Sequence, residues 1–299
     1  MKPPRFDYLA PASVHEALGL LDDLGERAKL LAGGQSLVPM LNFRLVRPEH
    51  LIDLNGLAEL AGIREDDGHL VIGAMTRQRE VERSPLVRER CPLLAEAMPQ
   101  IGHAQIRNRG TVGGSLAHAD PAAELPAVVA ALDGRLVLRS ARGQRVLTAE
   151  QFFVAYFTTA AEPAELLVEV RLPTMPPRTG TAFLEVSRRH GDFALVGVAA
   201  TVTLDDDGVC TASALALTGV GRTPVVAREA AHALVGGGPT AEALAEVGRL
   251  VSGAVRPDSD LHASSEYRTH LAGVLTRRAL ARAAERAIAV TSRNSATRE

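Results

Sequence analysis

The chain has 299 residues, of which 46% are hydrophobic and 23% are charged, and its formal net charge is −2. This composition is typical of a globular protein, and it gives no electrostatic reason to expect nucleic acid as a partner. No apolar run approaches the ~20 residues of a transmembrane helix, and the N-terminus lacks a secretory pattern, so we expect a cytoplasmic protein. Its two cysteines, Cys91 and Cys210, exclude a disulfide scaffold and a four-cysteine iron–sulfur cluster built by this chain alone.

Residues 1–55 predict a small α/β unit. Ser13 and Glu16 have the spacing of a capping box at a helix start, and Gly25 is suited to end that helix. Around this helix, apolar runs predict strands over 6–8, 29–32 and 50–54, with a short helix over 37–41.

Residues 56–175 predict a second mixed region. Its expected elements are a strand over 69–74, one amphipathic helix over 86–98, an irregular polar stretch over 101–109, an apolar helix capped by Asp120 and ending near Leu132, a hairpin over 135–148 and a strand over 166–172. The proline-rich run over 173–180 predicts a linker and a domain boundary.

Residues 176–290 predict a third domain. Strand-like runs cover 181–189, 194–204 and 209–218, and helices are expected over 225–234, 240–252 and 264–289. The predicted fold class is α+β, with domains 1–55, 56–175 and 176–290, followed by a polar tail, 291–299, that we expect to fray.

Two glycine-paired motifs carry the main functional signal. The first motif is Ala32-Gly33-Gly34-Gln35-Ser36-Leu37, and the second motif is Thr111-Val112-Gly113-Gly114-Ser115. Adjacent glycines permit positive φ and remove Cβ atoms, so that successive N–H groups can converge on an anion. Neither motif contains Lys or Arg, so neutral amides and hydroxyls would hold such an anion. Two motifs suit a ligand with linked phosphates, such as a dinucleotide; the alternative is that each is only a tight turn between packed elements.

Other familiar site patterns are missing. Gly219-Val220-Gly221 lacks the third glycine of a Rossmann fingerprint, and neither motif has the Lys-Ser/Thr pair of a P-loop. Ser115, His118 and Asp120 lie close in sequence, but the elbow motif that would expose a nucleophilic serine is absent. We therefore predict no catalytic side chain and no metal site.

The two motifs and their surroundings resemble a known family. Ala32 to Leu41, followed by Thr111 to Pro126, is similar to the FAD-binding medium subunit of molybdenum hydroxylases of the carbon monoxide dehydrogenase and xanthine dehydrogenase type. The similarity extends over Arg188-Arg189-His190-Gly191-Asp192-Phe193 and the helix that begins near Tyr267.

The resemblance implies a two-lobed FAD-binding domain of the PCMH, or vanillyl-alcohol-oxidase-like, type, followed by a C-terminal domain with a three-stranded antiparallel sheet and helices. Family members place the cofactor against residues that match, in this chain, Ala32, Gly33, Gly34, Gln35, Ser36, Leu37, Ile101, Gly102, Thr111, Gly113, Gly114, Ser115, Glu124, Leu167 and Phe193. The first and second motifs would hold the pyrophosphate, Ile101 and Gly102 would line the approach to the flavin, Leu167 would lie near the adenine, and Phe193 would shield the ring.

The resemblance also implies partners. A large molybdopterin-binding subunit and a small subunit with [2Fe-2S] clusters would complete the enzyme, as a dimer of heterotrimers, and electrons would pass from the clusters through FAD to an external acceptor. Two alternatives remain, a self-contained FAD-dependent oxidoreductase with its own organic substrate and a scaffold without cofactor. Gln35 stands where some members have His, and the stretch Phe183-Leu184-Glu185-Val186 lacks a Lys that members often carry.

Overall fold

The computed structural model describes the backbone of residues 2–296 and the side chains of residues 2–289. The first region contains β1 (Asp7–Leu9), α1 (Val14–Leu24), β2 (Ala28–Leu31), α2 (Leu37–Asn42) and β3 (His50–Asp53). Its strands form a parallel sheet in the order β1-β3-β2. The Ser13 hydroxyl accepts a hydrogen bond from the Glu16 N–H, which confirms the predicted helix start. The Glu16 carboxylate accepts from the Ala12 N–H, one residue earlier than a capping box requires.

The second region is built on a five-stranded antiparallel sheet in the order β4-β5-β10-β6-β7. Its strands are β4 (Ile63–Asp66), β5 (His69–Gly73), β6 (Arg135–Ser140), β7 (Gly143–Thr148) and β10 (Leu166–Pro173), with a separate hairpin of β8 (Phe153–Ala155) and β9 (Thr158–Thr159). Its helices are α3 (Gln78–Arg83), α4 (Pro85–Arg90), α5 (Pro92–Ala97), α6 (Ala104–Arg109), α7 (Val112–His118), α8 (Glu124–Ala131) and α9 (Ala149–Phe152).

Three sequence predictions in this region are wrong. The single helix over 86–98 is two helices, because Pro92 follows Cys91 and the residue before a proline is disfavoured in the α conformation. The polar stretch over 101–109 contains a helix, α6. The sequence did not predict it because its apolar residues are too few to show a helical period. Asp120 does not cap α8; its carboxylate accepts from the Ala122 N–H at 2.8 Å, and the helix begins at Glu124.

The third region contains β11 (Thr179–Ser187), β12 (Ala194–Leu204), β13 (Cys210–Thr218), β14 (Val225–Val226), α10 (Arg228–His232), α11 (Ala241–Ala254) and α12 (Ser265–Ala296). The predicted three antiparallel strands are confirmed, and β14 adds a two-residue fourth strand where we expected the start of a helix. The backbone of α12 is helical through the first six residues of the predicted tail, and residues 297–299 lie outside the described residues. The domain boundaries stay predictions.

One face of the third region's sheet packs on the second region. Phe183, Ala199 and Ala216 belong to the same buried apolar cluster as Leu125 and Val128 of α8. The opposite face of the sheet is covered by α11 and α12, which share a second cluster with it. Residues of β11 therefore alternate between the two sides, and Glu185, two residues after Phe183, lies on the side of α8.

Candidate cofactor-binding site

The first motif leaves a run of backbone donors unpaired. Within the described part of the chain, the N–H groups of residues 33–37 donate no hydrogen bond. Gly34 has a φ of +73°, a conformation that favours glycine, and it turns the chain so that α2 can begin at Leu37. The Ser36 hydroxyl does not cap α2. Five successive free N–H groups beside a helix start are available to donate hydrogen bonds to an anion.

The second motif is built differently. It is the beginning of α7, with Thr111 at the N-cap, and neither Gly113 nor Gly114 has a positive φ. The Gly114 N–H donates to the Thr111 hydroxyl at 3.1 Å, and the Gly113 N–H donates to the Ala74 carbonyl at 2.8 Å. Val112 and Ser115 also donate within the chain, so Thr111 has the motif's one unpaired N–H among the described residues. The expected run of free amides with positive φ is therefore wrong for this motif.

The structure brings the two motifs into contact. A Cβ on Gly33 would lie 2.3 Å from the Arg109 carbonyl oxygen and 2.8 Å from the Gly110 Cα. A Cβ on Gly114 would lie 3.4 Å from the Ala32 Cβ. Glycine is required where the backbones approach this closely, because any side chain on Gly33 would overlap the facing peptide. Both motifs therefore border one surface, as a shared ligand requires.

A polar network joins the two motifs from behind. Arg77 Nη1 donates to the Arg109 carbonyl at 2.5 Å, and Arg77 Nη2 donates to Asn55 Oδ1 at 2.7 Å. Asn55 in turn donates to the Ala32 carbonyl at 2.9 Å. The network connects the residue before Gly110 with the residue before Gly33. Sequence reasoning missed it, since nothing marks Arg77 among the chain's 33 basic residues.

Two further predicted residues border a neighbouring surface. Ile101 is buried and Gly102 has a φ of +51°, and together they form the turn that precedes α6. The loop over 188–193 lies against this turn: a Cβ on Gly191 would lie 2.5 Å from the His103 ring and 3.2 Å from the Gly102 carbonyl carbon. Phe193, at the end of that loop, is 59% exposed and is not part of the core.

A pair of acidic side chains lies where the second and third regions meet. Glu124 is 3% exposed, and burial raises its pKa to about 7, with nearby Asp120 contributing. Burial, together with the charge of Glu124, raises the pKa of Glu185 to about 8. One carboxylate oxygen of Glu185 is buried without a hydrogen-bond partner among the described residues. With a pKa of about 8, the Glu185 carboxyl group is mostly protonated at neutral pH and can donate a hydrogen bond.

The remaining predicted site residues are placed as follows. The Gln35 side chain donates to the Gly33 carbonyl at 3.2 Å, within its own turn. Leu37 is half-buried as the first residue of α2. The Ser115 hydroxyl has no hydrogen-bond partner among the described residues. Leu167 is 6% exposed and belongs to the core of the second region, beside a bulge in the pairing of β10 with β6.

The described residues offer no competing catalytic chemistry. They contain no cluster of three His, Cys, Asp or Glu side chains that could hold a metal ion. The His118 ring lies 5.2 Å from the ring of Phe157, centroid to centroid, and burial lowers its pKa. Burial raises the pKa of the Cys91 thiol to about 12, which makes a thiolate nucleophile unavailable. A cavity of about 430 Å³ lies between β11 and α12, away from both glycine motifs.

Comparison with known proteins assigns the family. Residues 4–175 match the family described as the FAD binding domain in molybdopterin dehydrogenase, and residues 181–283 match the CO dehydrogenase flavoprotein C-terminal domain. The chain belongs to the FAD-binding medium subunits of molybdenum hydroxylases. The predicted fold class, the flavin cofactor and the assignment to an oxidoreductase complex are thereby confirmed.

Several relatives of this medium subunit are similar over nearly their full length. The 6-hydroxypseudooxynicotine dehydrogenase complex subunit alpha of Paenarthrobacter nicotinovorans is 44% identical over 96% of this chain and 97% of its own. The structure of carbon monoxide dehydrogenase from Hydrogenophaga pseudoflava lacking the Mo-pyranopterin moiety superposes with a TM-score of 0.92 at 43% identity, covering 95% of this chain and 98% of that chain. Quinoline 2-oxidoreductase from Pseudomonas putida 86 gives a TM-score of 0.91 at 38% identity, covering 96% and 99%.

No described helix of this medium subunit has the length and apolar character needed to cross a membrane. A cytoplasmic location stays a prediction.

Proposed function

We propose that this medium subunit binds FAD in the cleft bordered by the two glycine motifs and passes electrons from [2Fe-2S] clusters of a small partner subunit to an external acceptor. A large partner subunit would hold the molybdenum cofactor and oxidise the substrate. We propose the assembled enzyme to be a dimer of heterotrimers. The observation that carries the proposal is the run of five unpaired N–H groups over 33–37, in contact with the second motif across Gly33.

The unpaired donors fit the charge of the cofactor. A diphosphate needs several hydrogen-bond donors, and N–H groups at a helix start supply them without a basic side chain. We assign the diphosphate mainly to Gly33, Gly34, Gln35, Ser36 and Leu37. Thr111 would add one N–H, Ser115 a hydroxyl, and Gly114 the room for close approach. Arg77 and Asn55 would hold the two motifs at a fixed separation.

The ring end of the cofactor would lie between Ile101–Gly102 and Phe193. The six-residue helix α6, about 9 Å long, joins the turn at Gly102 to Gly110. This length separates the proposed ring site from the proposed diphosphate site, so that the two ends of one FAD molecule could occupy both. The exposed Phe193 offers an aromatic face to a planar ring. Glu124 and Leu167 stay predicted contacts. When bound, FAD supplies both one-electron and two-electron redox chemistry, and the protein supplies position, access and local charge.

The relatives support a division of labour between subunits. Their names refer to carbon monoxide, quinoline and 6-hydroxypseudooxynicotine, although this chain is 38–44% identical to each. Similar medium subunits in enzymes with different substrates indicate that the substrate pocket lies on another subunit.

The proposal is tested by purification of the enzyme from its native host. We expect flavin that is identified as FAD after extraction, and co-elution with chains that contain molybdenum and iron–sulfur clusters. Rapid reduction should reach the flavin only in the presence of the cluster subunit. Substrate turnover by this chain alone would instead establish the self-contained oxidoreductase, and a colourless chain that fails to bind added FAD would establish the scaffold.

A further inference from the structure

Arg107 is a charged side chain beside the proposed ring site, and all three of its guanidinium nitrogens donate hydrogen bonds. It is 7% exposed, although it belongs to a short surface helix, α6. Its Nε donates to one carboxylate oxygen of Glu82 at 2.9 Å, and its Nη2 donates to the other at 3.2 Å. Glu82 also accepts from Arg79 at 2.7 Å, so the buried charge of Arg107 is well compensated. Burial of the carboxylate acts to raise the pKa of Glu82, but the hydrogen bonds and charges of Arg107 and Arg79 outweigh it and leave that pKa lowered.

The remaining nitrogen of Arg107, Nη1, donates hydrogen bonds to the turn before α6. Nη1 lies 2.9 Å from the Ile101 carbonyl oxygen and 2.9 Å from the Gly102 carbonyl oxygen. It lies 3.4 Å from the Pro99 carbonyl oxygen as well. The planar guanidinium can serve a carboxylate and several carbonyls at once because its five donors are fixed in one plane. A lysine has one nitrogen and cannot reproduce this geometry.

These hydrogen bonds fix the direction of two N–H groups. In a trans peptide group the C=O and N–H bonds point in opposite directions. Because the carbonyls of Ile101 and Gly102 both point at Arg107, the N–H groups of Gly102 and His103 point away from it. Neither N–H donates a hydrogen bond within the described residues. The loop over 188–193, which ends in Phe193, lies next to this turn.

We propose that Arg107, anchored by Glu82, is a positioning residue for the ring end of FAD. It holds the Ile101–Gly102 turn so that the N–H groups of Gly102 and His103 face the carbonyl oxygens of the isoalloxazine. This inference rests on the proposed function. It predicts that the flavin half and the adenosine diphosphate half of the ligand depend on different residues, since Arg107 hydrogen-bonds the turn and, among the described residues, has no hydrogen bond with residues 33–37.

The test compares two ligands on the full chain after removal of flavin. The dissociation constant for FAD is measured by quenching of flavin fluorescence, and that for ADP by calorimetry, since ADP carries the diphosphate without the ring. We expect Arg107→Lys to raise the FAD constant at least about tenfold, through loss of charge-assisted hydrogen bonds, and to leave the ADP constant within about twofold. Glu82→Gln, which keeps Arg107, should raise the FAD constant about threefold.

Arg145→Lys is the matched control. Arg145 also forms a two-point ion pair, with Glu165 at 2.6 and 2.7 Å, and donates to one backbone carbonyl, that of Ala160. It lies on β7, away from the turn, so we expect a change in melting temperature without a change in FAD affinity.

The outcomes separate the two proposals. Equal FAD affinity in wild type and Arg107→Lys, or equal weakening of FAD binding and ADP binding, would overturn the positioning role of Arg107 but not the proposed function. A wild-type chain that binds no FAD would overturn the proposed function, and this inference with it. If Arg107→Lys does not fold, Glu82→Gln decides, because its folded form must show weaker FAD binding with unchanged ADP binding.

Discussion

The two glycine motifs both place a serine soon after a pair of glycines, but the structure uses their glycines for different purposes. In the first motif, Gly34 adopts a positive φ and five successive N–H groups stay free. In the second motif, four of five N–H groups already donate to the chain, and a Cβ on Gly113 would lie 2.4 Å from the Ala74 Cβ. Paired glycines thus indicate either an open run of donors or a close contact between backbones, and the surrounding elements decide which. The following predictions test this difference.

The largest expected effect is on stability, from Gly113→Ala. The new methyl group would overlap Ala74 where α7 packs against the end of β5, so we expect a loss of about 2–4 kcal/mol in the free energy of unfolding. The folded fraction should still bind ADP within about threefold of wild type. Chemical denaturation and calorimetry measure the two quantities. Gly56→Ala, with no heavy atom within 4 Å of the added Cβ, should be nearly neutral. Normal stability with lost ADP binding would instead make the second motif the main diphosphate site.

The next effect is on binding, from Gly34→Ala. An alanine at a φ of +73° costs about 1–2 kcal/mol, and a rotation of the half-buried turn that relieves this strain would redirect its free N–H groups. We expect the ADP dissociation constant to rise about tenfold. Gly68→Ala is the matched control, since Gly68 has a φ of +70° in the turn between β4 and β5. Both variants should lose stability, Gly34→Ala the more because its Cβ would lie 3.2 Å from Val38 Cγ2, but only Gly34→Ala should lose ADP affinity. An ADP affinity of Gly34→Ala equal to that of wild type would mean that the first motif is only a turn.

A smaller effect, the pH dependence of the free energy of unfolding, is expected from the acidic pair Glu124 and Glu185 and not from the glycine motifs. No side chain in Gly33–Leu37 or Thr111–Ser115 titrates near neutral pH, whereas Glu124 and Glu185 have raised pKa values. The folded state therefore retains protons that the unfolded state releases, and the free energy of unfolding falls from about pH 4.5 to about pH 8 and then levels. Glu185→Gln should flatten this decline and gain on the order of 1 kcal/mol at pH 8.5 relative to pH 5. Parallel pH profiles of unfolding free energy for Glu185→Gln and wild type would contradict the raised pKa of Glu185.

The smallest effect compares one hydroxyl in each motif. Ser36 adjoins the free N–H groups, and Ser115 lies in α7, where the backbone donors are already used. We expect Ser36→Ala to raise the ADP dissociation constant about threefold and Ser115→Ala to change it by less than twofold. Calorimetric titration of both variants under one buffer condition measures the difference. Equal losses would show that the two motifs share the diphosphate evenly.

Sequence reasoning located the strands of the third region and the start of α1 because these depend on local patterns. Thr181–Arg189, Ala194–Leu204 and Val209–Thr218 are apolar runs separated by turn residues, and Ser13 is a strong helix cap. It failed at α6 and at the break between α4 and α5, where a polar helix shows no apolar period and one proline interrupts an otherwise continuous pattern.

The candidate site divides in the same way. The sequences of the two motifs and their resemblance to a family were sufficient to predict Gly33, Gly34, Thr111 and the other site residues, which stay predictions. The comparisons confirmed the family and its cofactor. Arg77 and Arg107 were not predicted, although each holds a backbone segment of the proposed site. Their partners lie 5 to 32 positions away in sequence, and arginine is common on every surface.

The sequence by itself determined the chemistry that is available: two uncharged glycine motifs, no catalytic triad signature and too few cysteines for a cluster. Only the tertiary structure decided how that chemistry is used. Whether an N–H group is free to bind a ligand depends on whether a carbonyl or hydroxyl from another part of the chain already accepts from it. That acceptor is Ala74, Thr76 or Thr111 for the second motif, and none is present among the described residues for Gly33 to Leu37.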